Sequence, residues 1–192
     1  MEELFRAMLS DPETKAGMDA RERERRARAA EMVTRHGGAE AVLAETPDEA
    51  RLREAVQPFL DAGLNPLHAP SAGQMAPDLR SAVTAAVALP STLTAALAAY
   101  DAAEARLHDR STLDPYHIPP TGGELHRRLL AHALDTLPAA TFAEVQVRLE
   151  WMQRVLDLGY SRDVEEDQAC LDSLKVDLAR VAAGTIPLPP RV

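Results

Sequence analysis

Residues 141–157 (TFAEVQVRLEWMQRVLD) and 164–184 (VEEDQACLDSLKVDLARVAAG) decide the fold class. In the first stretch Thr141 and Glu144 stand at capping-box spacing. Phe142, Val145, Leu149, Met152 and Leu156 follow at helical intervals, and Gly159 offers a stop. In the second, Ser161 or Asp163 can open a helix that repeats Val164, Leu171, Leu174, Leu178 and Val181 until Gly184. Apolar residues three and four apart form a seam of the kind helices use to pack on one another. Asp172 and Asp177 fall outside this set and read as the wet face of the last helix. A short turn between the two helices predicts an antiparallel pair.

Working outward, helix signals recur and strand signals are nearly absent. Gly122 and Gly123 precede a helix carrying Leu125, Leu129, Ala133 and Leu137. Before it, residues 110–121 (RSTLDPYHIPPT) read as an irregular segment. Leu93, Leu97, Tyr100 and Leu107 mark a long helix to about Asp109, and Leu79, Val83 and Val87 a short one ended by Pro90. Residues 63–77 hold Pro66, Pro70, Pro77, Gly63 and Gly73, a linker or long ordered loop. Thr46-Pro47-Asp48-Glu49 is a further capping box, with proline at the first helical position. The helix it opens carries Leu52, Val56, Phe59 and Leu60, with Pro58 as a place to kink. Pro12 can follow a cap at Ser10 or Asp11, starting a helix to His36 that Gly37 and Gly38 stop. Its interior, RERERRARAA, is so polar that it reads as a solvent-facing arm.

The expected fold is therefore all-α: an antiparallel helical bundle in the C-terminal half, preceded by a polar N-terminal helical arm. The expected divisions are 1–62, a 63–77 linker, a 78–184 bundle and a proline-rich tail at 185–192.

Composition agrees. Apolar residues form 46% of the 192, enough for a core, but only three Phe, three Tyr and one Trp are present. Close-packed helices suit that mix better than a β-sandwich. The net charge of −9 argues against general affinity for nucleic acid or anionic membranes, which need a basic surplus. The lone Cys170 forbids an intramolecular disulfide and fits a reducing cytoplasmic setting, as a small buried hydrophobe between apolar neighbours. Glu2 and Glu3 open a start without an apolar signal region. No apolar run is long enough to span a bilayer.

Motifs that carry chemistry are missing. No Gly-x-Ser-x-Gly elbow surrounds Ser91, Ser161 or Ser173, and no phosphate loop accompanies the glycine pairs. His126 and His132 are six apart, about 240° around a helix, and cannot share a metal from one face. A site from His117, Glu124 and His126 is geometrically conceivable but poorly arranged, so no cofactor or metal is expected. The run Asp163, Glu165, Glu166, Asp167 lacks the EF-hand pattern and suits the positive end of a helix dipole. Arg21, Arg25, Arg28 and Arg35 share one side of the first long helix. Pairs such as Glu22–Arg26 and Glu24–Arg28 make that helix read as solvated rather than as a phosphate track.

The stretch from Leu93 to Ala183, with LTAALAAYDAAEARL, LPAATFAEVQVRLEWMQRVLDL and the EED run before CLDSLKVDLARVA, resembles small uncharacterised helical proteins of alphaproteobacteria and their prophages. Those show a Pro-Ala-Thr-Thr-hydrophobic helix start, matched by Pro138, Ala139, Ala140 and Thr141. The resemblance implies a packed helical unit, brings no activity with it, and leaves residues 1–90 uncovered.

Three functional expectations follow. The first is a non-enzymatic protein-interaction or regulatory protein, of phage or mobile-element type by that resemblance, binding a protein partner through the arginine stripe or the Asp163–Asp167 acids. The second is an acidic inhibitor that mimics phosphates toward a nucleic-acid-binding machine. The third is a metal-dependent enzyme using His117, His126 and Glu124. A homodimer through residues 12–36 is a further expectation, since a weakly apolar helix gains from a second copy.

Overall fold

The computed structural model describes residues 12–68, 72–157 and 164–186, and among them there are eight α-helices and no strand. These are α1 (Pro12–His36), α2 (Ala39–Leu43), α3 (Pro47–Asp61), α4 (Pro77–Ala86), α5 (Leu93–Leu113), α6 (Thr121–Thr136), α7 (Phe142–Asp157) and α8 (Val164–Ala182). A 3-10 turn at Pro66–His68 lies between α3 and α4. The all-α helical expectation holds. None of the described helices is long and apolar enough to cross a membrane.

The chain divides into two compact units. One comprises the described residues up to Ala44 together with Ala105–Ile118; the other comprises Glu45–Glu104 and the described residues from Pro119 onward.

In the first unit α1 is helical through its own charge pairs. Glu22 accepts from both Arg25 and Arg26 at 2.8 Å, Glu24 from Arg28, and Glu31 from Arg35 at 3.0 Å. Gly37, at φ 78°, adopts the left-handed conformation that lets the Gly38 and Gly37 N–H groups return to the Val33 and Thr34 carbonyls. That pair of hydrogen bonds closes the helix end. Met32 is the buried residue of α1 and Val42 that of α2. Polar bonds add to them. The buried Arg110 donates to the carbonyls of Val42 (3.1 Å) and Ala44 (2.6 Å), which end α2. Arg25 donates to the Thr112 carbonyl at 3.0 Å, and His36 meets Asp109 at 3.2 Å. The polar helix is thus tied to the last turns of α5.

In the second unit α6 is the central element. Leu125 and Leu129 enter a cluster with Leu52, Val56, Met75, Leu79 and Val83. Leu130 and Leu134, on an adjacent face, enter another with Leu93, Tyr100, Val145, Trp151 and Val155. Thr46 caps α3 with both bonds of the capping box, and Pro58 lies in its last turn without ending it. Gly122 lets α6 approach α3 closely: a Cβ there would lie 2.7 Å from the Leu52 carbonyl oxygen. Ala72 and Met75, from the proline-rich stretch between α3 and α4, are buried in the first of these clusters, and Ile186, past the end of α8, in the second.

Several readings are corrected. Helix α5 continues to Leu113, so residues 110–113 are not irregular, and α6 starts at Thr121, with Gly122 and Gly123 inside its first turn. The second capping box is half formed: Thr141 Oγ accepts from the Glu144 N–H. The Glu144 carboxylate instead accepts from Ala140 N at 2.7 Å and Leu93 N at 3.1 Å. The seams of α7 and α8 are rotated from the expected ones. The buried residues of α7 are Glu144, Val145, Arg148, Trp151 and Val155, while Leu149 and Leu156 are exposed. On α8, Cys170 and Asp177 are buried, and Leu174 and Val181 pack at the core edge. Asp177 is therefore not on the wet face. The physical reason is one ion pair: Arg148 (0% exposed) donates from Nε to the Asp177 carboxylate (1% exposed) at 3.0 Å. A reading by hydrophobicity skips both charges and settles on the neighbouring leucines.

The cap of α1 at Ser10 or Asp11, the cap of α8 at Ser161 or Asp163, the stop at Gly159 and most of the 185–192 tail lie outside the described residues.

Candidate partner-binding surfaces

The first unit presents a built turn after α5. The Asp114 N–H donates to the Arg110 carbonyl at 2.8 Å, and the His117 N–H returns to the Asp114 carbonyl at 2.9 Å. The Asp114 side chain accepts from the Tyr116 N–H at 3.0 Å. Asp and Pro115 are residues that favour such a turn. Its product is the outward projection of Tyr116 (89% exposed) and Ile118 (84% exposed). The intervening His117 does the opposite, with its Nε2 buried and without a hydrogen-bond partner.

Of the arginine stripe on α1, Arg21, Arg28 and Arg35 are exposed and Arg25 is half-buried. Arg28 and Arg35 are each paired with the glutamate one turn earlier, and Arg25 is drawn to Glu22 and Thr112. The anticipated Glu22–Arg26 and Glu24–Arg28 pairs form. Two arginines holding Glu22 lower its carboxyl to about 2.

On the second unit Glu165, Glu166 and Asp167 occupy the first turn of α8, where backbone N–H groups favour negative charge. Asp163 lies outside the described residues. The same helix exposes Val164, Leu171, Val176 and Leu178. Thr136, Asp172, Ser173, Val176, Asp177 and Arg180 line an open groove of about 290 Å³ beside α8. Its polar groups are two hydroxyls, two carboxylates and a guanidinium.

The histidines do not converge. Among the described residues no three His, Cys, Asp or Glu side chains are placed to hold a metal ion. Glu124 accepts from Arg127 at 2.9 Å and from Arg128 at 3.0 Å. Burial pushes its carboxyl up, and the two arginines more than offset this, so the group ends below its ordinary value. Arg127 also reaches Glu104 and Tyr100, and its guanidinium lies over the Tyr100 ring at 5.8 Å. Glu124 thus belongs to a packing network between α5 and α6. Burial depresses His126, against the opposing charge of Asp48, and depresses His132 with the help of Arg80. Cys170 is buried, as its apolar neighbours suggested.

The Tyr116–Ile118 pair was missed because the segment reads simply as irregular. The signal was present: two large apolar residues among prolines in a stretch with no helical face to bury them. No protein-family model matches the chain, and no curated protein or solved structure does either.

Proposed function

We propose that this chain is a non-enzymatic helical protein that acts by binding another protein, and that the Asp114–Ile118 turn inserts into that partner. The carrying observation is the exposure of Tyr116 and Ile118 on a turn already locked by hydrogen bonds. Fully burying one large apolar side chain is worth about 1.5–3 kcal/mol. A turn that is already ordered adds little entropy cost on docking. Tyrosine is also among the residues that dominate interface energetics.

The other two readings gain less support. Glu22, Glu24, Glu31, Glu45 and Asp48 each pair with a nearby arginine, which leaves them poor stand-ins for phosphates. A metal enzyme would need the Glu124 carboxylate that Arg127 and Arg128 occupy.

A photo-reactive phenylalanine analogue in place of Tyr116, expressed in the native cells, tests the reading. The expected result is one protein adduct that binds the purified chain saturably. Ile118→Ser should then weaken that binding about 30-fold or more, the loss of a hot-spot residue, with unchanged thermal melting. Unaltered affinity in a Tyr116→Ser/Ile118→Ser variant would sink it.

A further inference from the structure

We propose that Arg80 of α4 and His132 of α6 form a binding site for a small tetrahedral oxyanion of the phosphate class. The site lies in the second unit, shares no residue with the Tyr116 turn and does not depend on it.

The first observation is a cation without a counter-charge. Arg80 is half-buried, and a guanidinium keeps its charge in any protein setting. Among the described residues of this unit every other arginine, and Lys175, stands in an ion pair. Arg80 has no carboxylate partner. Its Nη2 donates to the Ala72 carbonyl, and its Nε–H is buried without an acceptor. Asp78, two residues earlier, lies about 200° around the helix from it. A half-buried charge left this way is costly, and an ion taken from solution is one way to offset it.

The second observation is a companion on α6. Leu79, next to Arg80, and Leu129, three residues before His132, belong to one buried cluster. That contact sets the two polar residues beside each other, and the guanidinium is near enough to oppose a proton on His132. The His132 ring is half-buried and has no hydrogen-bond partner among the described residues. The acids and bases around it are committed elsewhere. Asp135, which acts on His132 in the opposite sense, is 3% exposed and accepts from Trp151 Nε1 at 2.8 Å. Arg128, one turn before His132, is held by Glu124.

The donors that remain select the ligand. A carboxylate is gripped best by two parallel N–H groups along one edge of a guanidinium. The edge formed by Nε and Nη2 is closed to such a fork, Nε by burial and Nη2 by the Ala72 carbonyl. What is left is the Nη1 side of Arg80 and the His132 ring, two donors on two helices. The diverging oxygens of a phosphate can meet both. Its negative charge would offset the guanidinium and favour a protonated His132, in which both ring nitrogens donate.

The test uses the full chain and inorganic phosphate. Calorimetric titration at neutral pH should show one saturable site with a dissociation constant below about 10 mM. Arg80→Met keeps the apolar stem and removes the charge, so it should weaken binding at least about 10-fold. It should not lower the melting temperature in phosphate-free buffer. In the unaltered chain, phosphate should move the His132 ring resonances and raise their titration midpoint, while those of His126 stay in place. Phenyl phosphate separates the two sources within the proposal: equal binding marks a phosphoryl group carried on a larger molecule, and refusal marks the free ion. Absence of saturation, or undiminished binding by Arg80→Met, would overturn the site. Saturation that leaves His132 unmoved would mean an adventitious ion only, and acetate binding as tightly as phosphate would overturn the tetrahedral ligand. The Tyr116 reading survives each of these failures.

Discussion

Removing the Arg148 guanidinium would strand the Asp177 carboxylate in a region closed to water. Arg148 also donates to the carbonyls of Leu134, Asp135 and Leu137, which end α6 and have no helical partner. Asp177 in turn accepts from the Ala139 N–H at 3.1 Å, so one ion pair ties α6, α7 and α8 together. Breaking a buried pair by deleting one member costs about 3–5 kcal/mol. Arg148→Met is expected to lower stability by that amount in urea unfolding, and Arg148→Met/Asp177→Leu by less than the sum of the single changes. A second residue-scale expectation concerns pH. Burial holds His126 and His132 below their ordinary value of 6.5. The unfolded chain then takes up protons near pH 6.5 that the folded chain refuses, so their contribution is complete above that pH and is lost as pH falls through the lower folded values. Glu124, also depressed, adds a separate loss below its ordinary 4.5. Unfolding free energy measured at pH 7.5 and 5.5 should fall, and His126→Gln/His132→Gln should flatten that slope. An unchanged slope would show that neither histidine controls it.

At the scale of the element, the two glycines that open α6 separate two effects. Gly123 has nothing within 4 Å of a notional Cβ, whereas Gly122 meets the α3 backbone at Leu52. Gly123→Ala should raise stability by about 0.5–1 kcal/mol, the helix cost of glycine. Gly122→Ala should lower it by about 1–3 kcal/mol, the cost of overpacking. Thermal melts of the two variants would show shifts of opposite sign; equal shifts would mean that α3 and α6 can separate at no cost. Much at this scale was legible in sequence. Thr46 with Glu49, the stop at Gly37 and the charge pairs of α1 are local, and local chemistry decides them. The starting point of α6 was less legible, because a glycine pair reads as a breaker unless the neighbouring helix that needs the space is known.

For the whole molecule the contrast between the units is one of burial. Among the described residues the first unit buries Met32, Val42 and Arg110, while α6 alone buries Leu125, Leu129, Leu130 and Leu134. Local opening follows buried apolar contact and exposed hydrogen bonds. Native-state amide exchange should therefore show α1 opening at a clearly lower free energy than α6. Equal protection would mean that Arg110, Arg25 and His36 hold the first unit as firmly as a core does.

The sequence by itself determined that the chain is helical, where several of its helices begin and end, and that Cys170 belongs inside. Helix formation depends on caps and spacings within a few residues, and all of that is written along the chain. Which face of α7 and α8 turns inward was decided by tertiary structure alone. Arg148 and Asp177 can be buried only because they meet each other across 29 residues of chain. That meeting displaces Leu149, Leu156, Leu171 and Leu178 from the core. The same holds for Tyr116 and Ile118: their residue types were visible, but their exposure depends on how Asp114 folds the backbone beneath them.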